Sequence, residues 1–166
     1  MSARSARASN RIVPGTFALM TLLIGAQAGQ ADEFIEGPVQ VIDGDTLRFA
    51  DVRVRIYGID APDIRQTCVW KSKTVRCGVL SGDALKDLVF GASVKCVKRS
   101  VLADKTVIAT CTADDRDIGR NLVHTGWSLA DVRQSKRYIP VEEKARKAKR
   151  GLWRGPFVKP WDWKHN

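Results

Sequence analysis

The feature that most constrains this chain is a six-residue stretch, Val52-Arg53-Val54-Arg55-Ile56-Tyr57, which alternates strictly along its length. Period two is the repeat of a pleated strand. Val52, Val54 and Ile56 are therefore expected to face a core, with Arg53, Arg55 and Tyr57 on the other face. The flanking residues extend the pattern. Phe34 to Ile42 reads as a strand, Asp43-Gly44-Asp45 as a tight turn, Thr46 to Phe49 as a second strand and Ala50-Asp51 as the next turn. Gly58 to Pro62 leaves the alternating strand, and Ser93–Lys98 and Thr106–Thr112 add two more. Ser81 is the expected N-cap of a helix through Ala84, Leu85, Leu88 and Val89 that stops at Gly91. Ile118 to His124 forms a short amphipathic helix ended by Gly126. Pro140 opens a third helix at its first position, with Glu142 and Glu143 in the first turn, Lys149 and Arg150 in the last, and Gly151 as cap. Five strands with about three helices inserted or appended predict an α+β, β-rich domain built on an OB-type barrel.

The N-terminus has the character of an address. Arg4, Arg7 and Arg11 make a positive region, Ile12 to Ala26 an apolar one, and Ala26-Gln27-Ala28 a small-residue cleavage site, with Ala31 before Asp32 as a second choice. The apolar run is shorter than the roughly 20 residues a membrane span needs. Residues 1–31 are expected to be a cleaved signal peptide and residues 32–166 one domain. The product is then periplasmic or secreted, with no stable membrane insertion. With 166 residues, 44% of them hydrophobic and only one long apolar stretch, the chain is neither disordered nor a multipass membrane protein. After cleavage 25 bases face 18 acids, a net charge of +7 that favours anionic partners.

Cys68, Cys77, Cys96 and Cys111 all follow the leader. An even count in an exported chain reads as two disulfides. Of the three connectivities, Cys68–Cys77 closes a local loop and Cys96–Cys111 joins neighbouring strand-like segments, and this pairing is preferred. Zinc is disfavoured, because there is no C-x-x-C pair and His124 and His165 lie at no ligand spacing.

Chemistry concentrates in Asp43-x-Asp45-Thr46, Arg55 and Asp60-Ala61-Pro62-Asp63. Hard oxygens around one point suit Ca²⁺ or Mg²⁺, and an arginine beside them offers a fork to a phosphate. The string Val41-Ile-Asp-Gly-Asp-Thr46, then Arg53-Val-Arg-Ile-Tyr-Gly-Ile-Asp-Ala-Pro62, resembles the thermonuclease (staphylococcal nuclease-like) family. Asp117-Ile-Gly-Arg-Asn-Leu-Val, Gly126-Trp-Ser-Leu-Ala130, Gly151-Leu-Trp-Arg-Gly-Pro156 and Pro160-Trp-Asp-Trp163 agree in order and spacing. The resemblance implies the same OB fold and, in active members, Ca²⁺-dependent cleavage of nucleic-acid phosphodiesters. It implies that Asp45 and Asp60 are metal-binding carboxylates, that Ala61 supplies a backbone carbonyl to the metal, and that Arg55 binds phosphate.

Four positions depart from that pattern. Asp63 stands where the family's general-base Glu is normal, about one methylene short, and small misplacements can cost ~100-fold. Thr106 replaces the second catalytic arginine, with Lys105 next door as a partial substitute that cannot form a bidentate fork. Asp131 and Gln134 stand where related exported members usually carry stacking tyrosines, and an acid there is expected to repel phosphate. Two readings result. One is an exported, weak Ca²⁺-dependent phosphodiesterase acting on nucleic acid. The other is a catalytically degenerate protein that binds an anionic polymer or a protein partner, with a role in succinoglycan-type exopolysaccharide production by family analogy. A monomer is expected in either case. The basic run Lys144 to Arg150 reads as a solvated helix face supported by Glu142–Arg146 and Glu143–Lys147 pairs. Trp153, Trp161 and Trp163 read as packing anchors of a tail wrapped over the barrel.

Overall fold

Gly37-Pro38 splits the expected first strand in two. Proline has no N–H to give a ladder, and the halves go to opposite edges of one sheet. In the computed structural model, which describes residues 33–163, β1 (Phe34–Glu36) and β2 (Val39–Val41) are followed by β3 (Thr46–Phe49), β4 (Val52–Ile56) and β5 (Ile59–Asp60). Next come β6 (Cys68–Trp70), β7 (Lys73–Val75), α1 (Cys77–Val89), β8 (Val94–Val101), β9 (Val107–Ala113) and β10 (Arg116–Asp117). The chain continues through α2 (Ile118–Thr125), β11 (Leu129–Ala130) and α3 (Ile139–Lys147), with 3₁₀ turns at Gly151–Arg154 and Pro160–Asp162. The leader read over residues 1–31 lies outside the described residues. No helix among the described residues is long and apolar enough to cross a membrane.

The sheet runs β1-β8-β9-β4-β3-β2, with β10 added to β9. Because β1 and β2 are separated only by Gly37-Pro38, the two edges of the path belong to one short segment and the sheet curls. This is the α+β OB-type architecture expected, with the five expected strands as its framework. All pairs on the path are antiparallel except β4–β9, where Val54 pairs with Val107 and Arg55 with Ile108. The concave face is filled by Leu47, Val54, Ile56, Ala109 and Leu122, all at most 1% exposed, with Leu85 of α1 closing the core. Each Leu, Val or Ile side chain among them contributes roughly 1.5–3 kcal/mol when withdrawn from water.

Val52 is 39% exposed; it sits where β4 leaves the Ala50-Asp51 turn, before the sheet curls over the core. Ser81 is not an N-cap. The helix starts four residues earlier, at Cys77, and Ser81 is a buried mid-helix residue whose hydroxyl donates to the Trp127 carbonyl at 2.7 Å. α3 ends at Lys147, so Lys149 and Arg150 lie beyond it, and Gly151 begins the 3₁₀ turn. Ile139, not Pro140, is its first residue. Glu142 turns inward to accept the Ala130 N–H at 2.8 Å, and neither expected i,i+4 ion pair forms among the described residues.

The preferred disulfides are both present. Cys96 and Cys111 are direct cross-strand partners on β8 and β9, with Cα atoms 4.0 Å apart. Cys68–Cys77 joins β6 to the first residue of α1. No cysteine among the described residues is free.

Candidate active site

Asp45 enters the site because of the turn that carries it. Its N–H donates to Asp43 Oδ1 at 3.1 Å, and its carbonyl accepts from Ile56 N–H at 2.9 Å, locking the turn to β4. Gly44 between them is packed against α1. A Cβ there would collide with the Ser81 hydroxyl and stand 2.8 Å from the Ala61 methyl, so only glycine lets the turn close.

Arg55 projects from β4, Asp60 ends β5, and the two carboxylates meet at the guanidinium. Arg55 Nη2 donates to Asp60 Oδ1 at 2.8 Å and to Asp45 Oδ2 at 3.4 Å. Asp45 also accepts from the Thr46 hydroxyl at 2.8 Å and from the Ala61 N–H at 3.0 Å. Both carboxylates are buried, 4% exposed for Asp45 and 6% for Asp60. Burial pushes Asp45 up to about 7, against the pull of Arg55, with Asp43 adding to the rise. Burial also raises Asp60, again opposed by Arg55. Arg55 is held more firmly protonated, chiefly by Asp45. Its Nε–H is buried and has no partner among the described residues.

These groups open onto a cavity of about 350 Å³. Asp43, Asp63 and Ala61 line it with Asp45, Asp60 and Arg55. The structure therefore brings together every candidate metal and catalytic residue named from the sequence, while the four cysteines lie away from the cavity. Asp63 Oδ1 accepts the Arg65 N–H at 2.8 Å, and Gln66 N–H bonds the Asp63 carbonyl at 2.7 Å. The backbone here is pressed against Gly78 in the first turn of α1, where a Cβ would collide with the Asp63 carbonyl.

The far wall is Thr106 and Asp104. The Thr106 N–H and hydroxyl both go to the Asp104 carboxylate, at 3.0 and 3.1 Å, and these bonds hold Asp104 below the usual range, with Arg53 adding to the effect. Lys105, the expected partial substitute for the arginine, is exposed at a turn with φ of 66° and does not line the cavity.

Five wall residues were not foreseen: Arg53, Leu102, Asp104, Pro160 and Trp163. The signal for Arg53 was present, since it shares a strand face with Arg55. Trp163 is thus also a wall of the site. Trp161 is 38% exposed, with Arg133 and Lys159 over its ring at 5.6 and 5.4 Å. Trp153 does pack, edge-on against Phe157 at 5.2 Å. Asp131 is also unlike the expected repelling acid. It is buried, and Arg133 clamps it through Nε at 2.8 Å and Nη2 at 3.0 Å while Gln134 adds a third bond at 2.8 Å. Burial alone would raise Asp131, but the hydrogen bonds from Arg133 and Gln134 outweigh it and keep the group ionised and neutralised.

Residues 53–155 match the family described as Staphylococcal nuclease homologue. The chain belongs to the staphylococcal nuclease family. The chain is 33% identical over 158 residues to "Succinoglycan biosynthesis protein ExoI" of Rhizobium meliloti (strain 1021), covering 92% of this chain and 81% of that relative. "Protein ParB" of Escherichia coli is 30% identical over 151 residues, 76% of each chain. "Probable staphylococcal-like nuclease CAN2" of Oryza sativa subsp. japonica is 28% identical over 117 residues, 69% of this chain and 29% of the plant protein.

The donor set accommodates a hard divalent cation only as an open site. Among the described residues no three His, Cys, Asp or Glu side chains gather into a cage. Two buried carboxylates are close enough to share one guanidinium, and Asp43 and Asp63 line the same cavity. Ca²⁺ takes six to eight oxygens and accepts water and substrate among them.

Proposed function

We propose that this chain is an exported, Ca²⁺-dependent phosphodiesterase acting on nucleic acid, slow relative to family members with the full catalytic set. The observation that carries this reading is Arg55. It stands between two buried carboxylates on the cavity wall with its side chain 38% exposed, an arrangement that offers a guanidinium fork to an incoming phosphate oxygen. Asp45, Asp60 and the Ala61 carbonyl would hold Ca²⁺, which when bound supplies charge neutralisation at the phosphate. Arg55 binds and orients the phosphate oxygen. Asp63, on the cavity wall, positions water and receives its proton, but with a short side chain engaged by Arg65. Periplasmic or extracellular residence is supported by two disulfides that consume every cysteine of the described residues.

Purified residues 32–166 should cleave single-stranded DNA in millimolar Ca²⁺ and lose that activity in chelator and in Asp60→Asn. Equal cleavage in Ca²⁺ and chelator would overturn the reading.

The bonds that occupy Thr106 and Asp63 Oδ1 favour a second reading, an accessory binding protein without turnover. The relative named for succinoglycan biosynthesis attaches that reading to exopolysaccharide production. Saturable binding of an acidic polysaccharide without any Ca²⁺-dependent nuclease activity would select it.

A further inference from the structure

We propose that Arg53 makes the phosphate contact that position 106 does not, so that a phosphodiester strand is gripped by two arginines of the same strand, β4. The inference rests on the nucleic-acid reading above and names the residue that completes its site. Three observations carry it.

The first is register. In the parallel β4–β9 pairing Val54 lies beside Val107 and Arg55 beside Ile108, which sets Arg53 beside Thr106. A guanidinium rooted at 53 therefore starts one strand spacing from the substituted position, about 4.8 Å. The second is access. Arg53 and Thr106 line the same cavity as Asp45, Asp60 and Arg55, and Arg53 is close enough to Asp104 to help hold that carboxylate ionised.

The third is an unbalanced charge. Arg53 is the direct antiparallel partner of Arg48 on β3, and like charges opposite one another are unfavourable. Neither arginine is held in a salt bridge among the described residues. A polyanion laid along this face relieves the repulsion, because each phosphate lies between cations that otherwise face each other. A flexible single strand, which can bend from the cavity onto this face, fits better than a small monophosphate that would use Arg55 alone.

The test uses residues 32–166 carrying Asp63→Asn to suppress turnover, with Ca²⁺ present. The probe is a fluorescein-labelled single strand of about ten thymidylates, followed by anisotropy across a salt series. Adding Arg53→Gln should weaken binding on the order of 5- to 10-fold at low salt and make the salt slope shallower by about 0.7, the loss of one phosphate contact. Adding Thr106→Arg to that variant should recover both, because the new fork is rooted one strand away. Arg53 is exposed and faces Arg48, so the melting temperature should not fall. Unchanged affinity and slope in Arg53→Gln, with the parent still binding, would overturn the assignment and leave the site reading standing. Failure of Thr106→Arg to recover binding would show that the two positions do not serve one phosphate, which also overturns it. Absence of binding by the parent would remove the nucleic-acid reading itself.

Discussion

Arg133 reaches Asp60 Oδ2 at 3.3 Å, on the oxygen opposite the one that Arg55 holds at 2.8 Å. One carboxylate is thus shared by two guanidinium groups, one of them from a segment 73 residues further along the chain than Asp60. Arg133 is a resident cation on a proposed metal ligand. Because its side chain is 63% exposed, solvent screening keeps its effect small. Arg133→Gln should tighten Ca²⁺ binding by about 2- to 5-fold, read from the Ca²⁺ dependence of the melting temperature. Weaker Ca²⁺ binding in the variant would show that Arg133 organises the site instead of competing there.

In chelator, stability should depend on pH through Asp45. Burial raises its folded-state value from 3.8 to about 7. Between those values the folded chain binds more protons than the unfolded one, so unfolding free energy falls as pH rises from about 4 to 7. Urea denaturation at pH 4.5, 5.5 and 6.5 should show that decline, and Asp45→Asn should flatten it. A wild-type stability constant across the window would refute the assignment.

Lengthening the base should raise turnover. Asp63→Glu extends the carboxylate by about 1.5 Å into a cavity that has room for it, and a gain on the order of 10- to 100-fold in kcat is expected. Thr106→Arg alone should add less, since Arg53 already stands beside that position. Steady-state cleavage of single-stranded DNA measures both. No gain from Asp63→Glu, with the fold intact, would mean that some other group activates water.

Two glycines of α1 should respond oppositely to alanine. At Gly78 the new methyl meets the Asp63 carbonyl, so the backbone under the base must move. That overpacking should cost about 1–3 kcal/mol and depress turnover more than stability. At Gly82 the nearest atoms are 3.8 Å away, so alanine should stabilise by up to about 1 kcal/mol through helix propensity alone. Denaturant melts of both variants, with kcat for Gly78→Ala, separate the cases.

What was readable in the sequence was local. Thr46–Phe49 and the burial of Val54 and Ile56 follow from alternation over a few residues, and Gly126 caps α2 as its position requires. The cluster of Asp45, Arg55 and Asp60 was readable because the three lie within sixteen residues, in the turn before β3 and on β4 and β5. Ser81 misled because a serine before an apolar run has the pattern of a cap, whereas α1 is started by the disulfide-bonded Cys77. Arg133, Asp104 and Trp163 reach the site only through tertiary folding. For Arg53 the strand face was readable, but its neighbour depended on the β4–β9 register, and parallel pairing across some fifty residues leaves no periodic trace.

The Cys68–Cys77 bridge ties the segment that follows Asp63 to the foot of α1, the turn whose Gly78 shoulders the Asp63 carbonyl. The proposed base is therefore seated by a bond that a reducing cytoplasm does not allow to persist. On the proposed reading, the placing of the water-activating carboxylate is tied to the oxidation state of the chain.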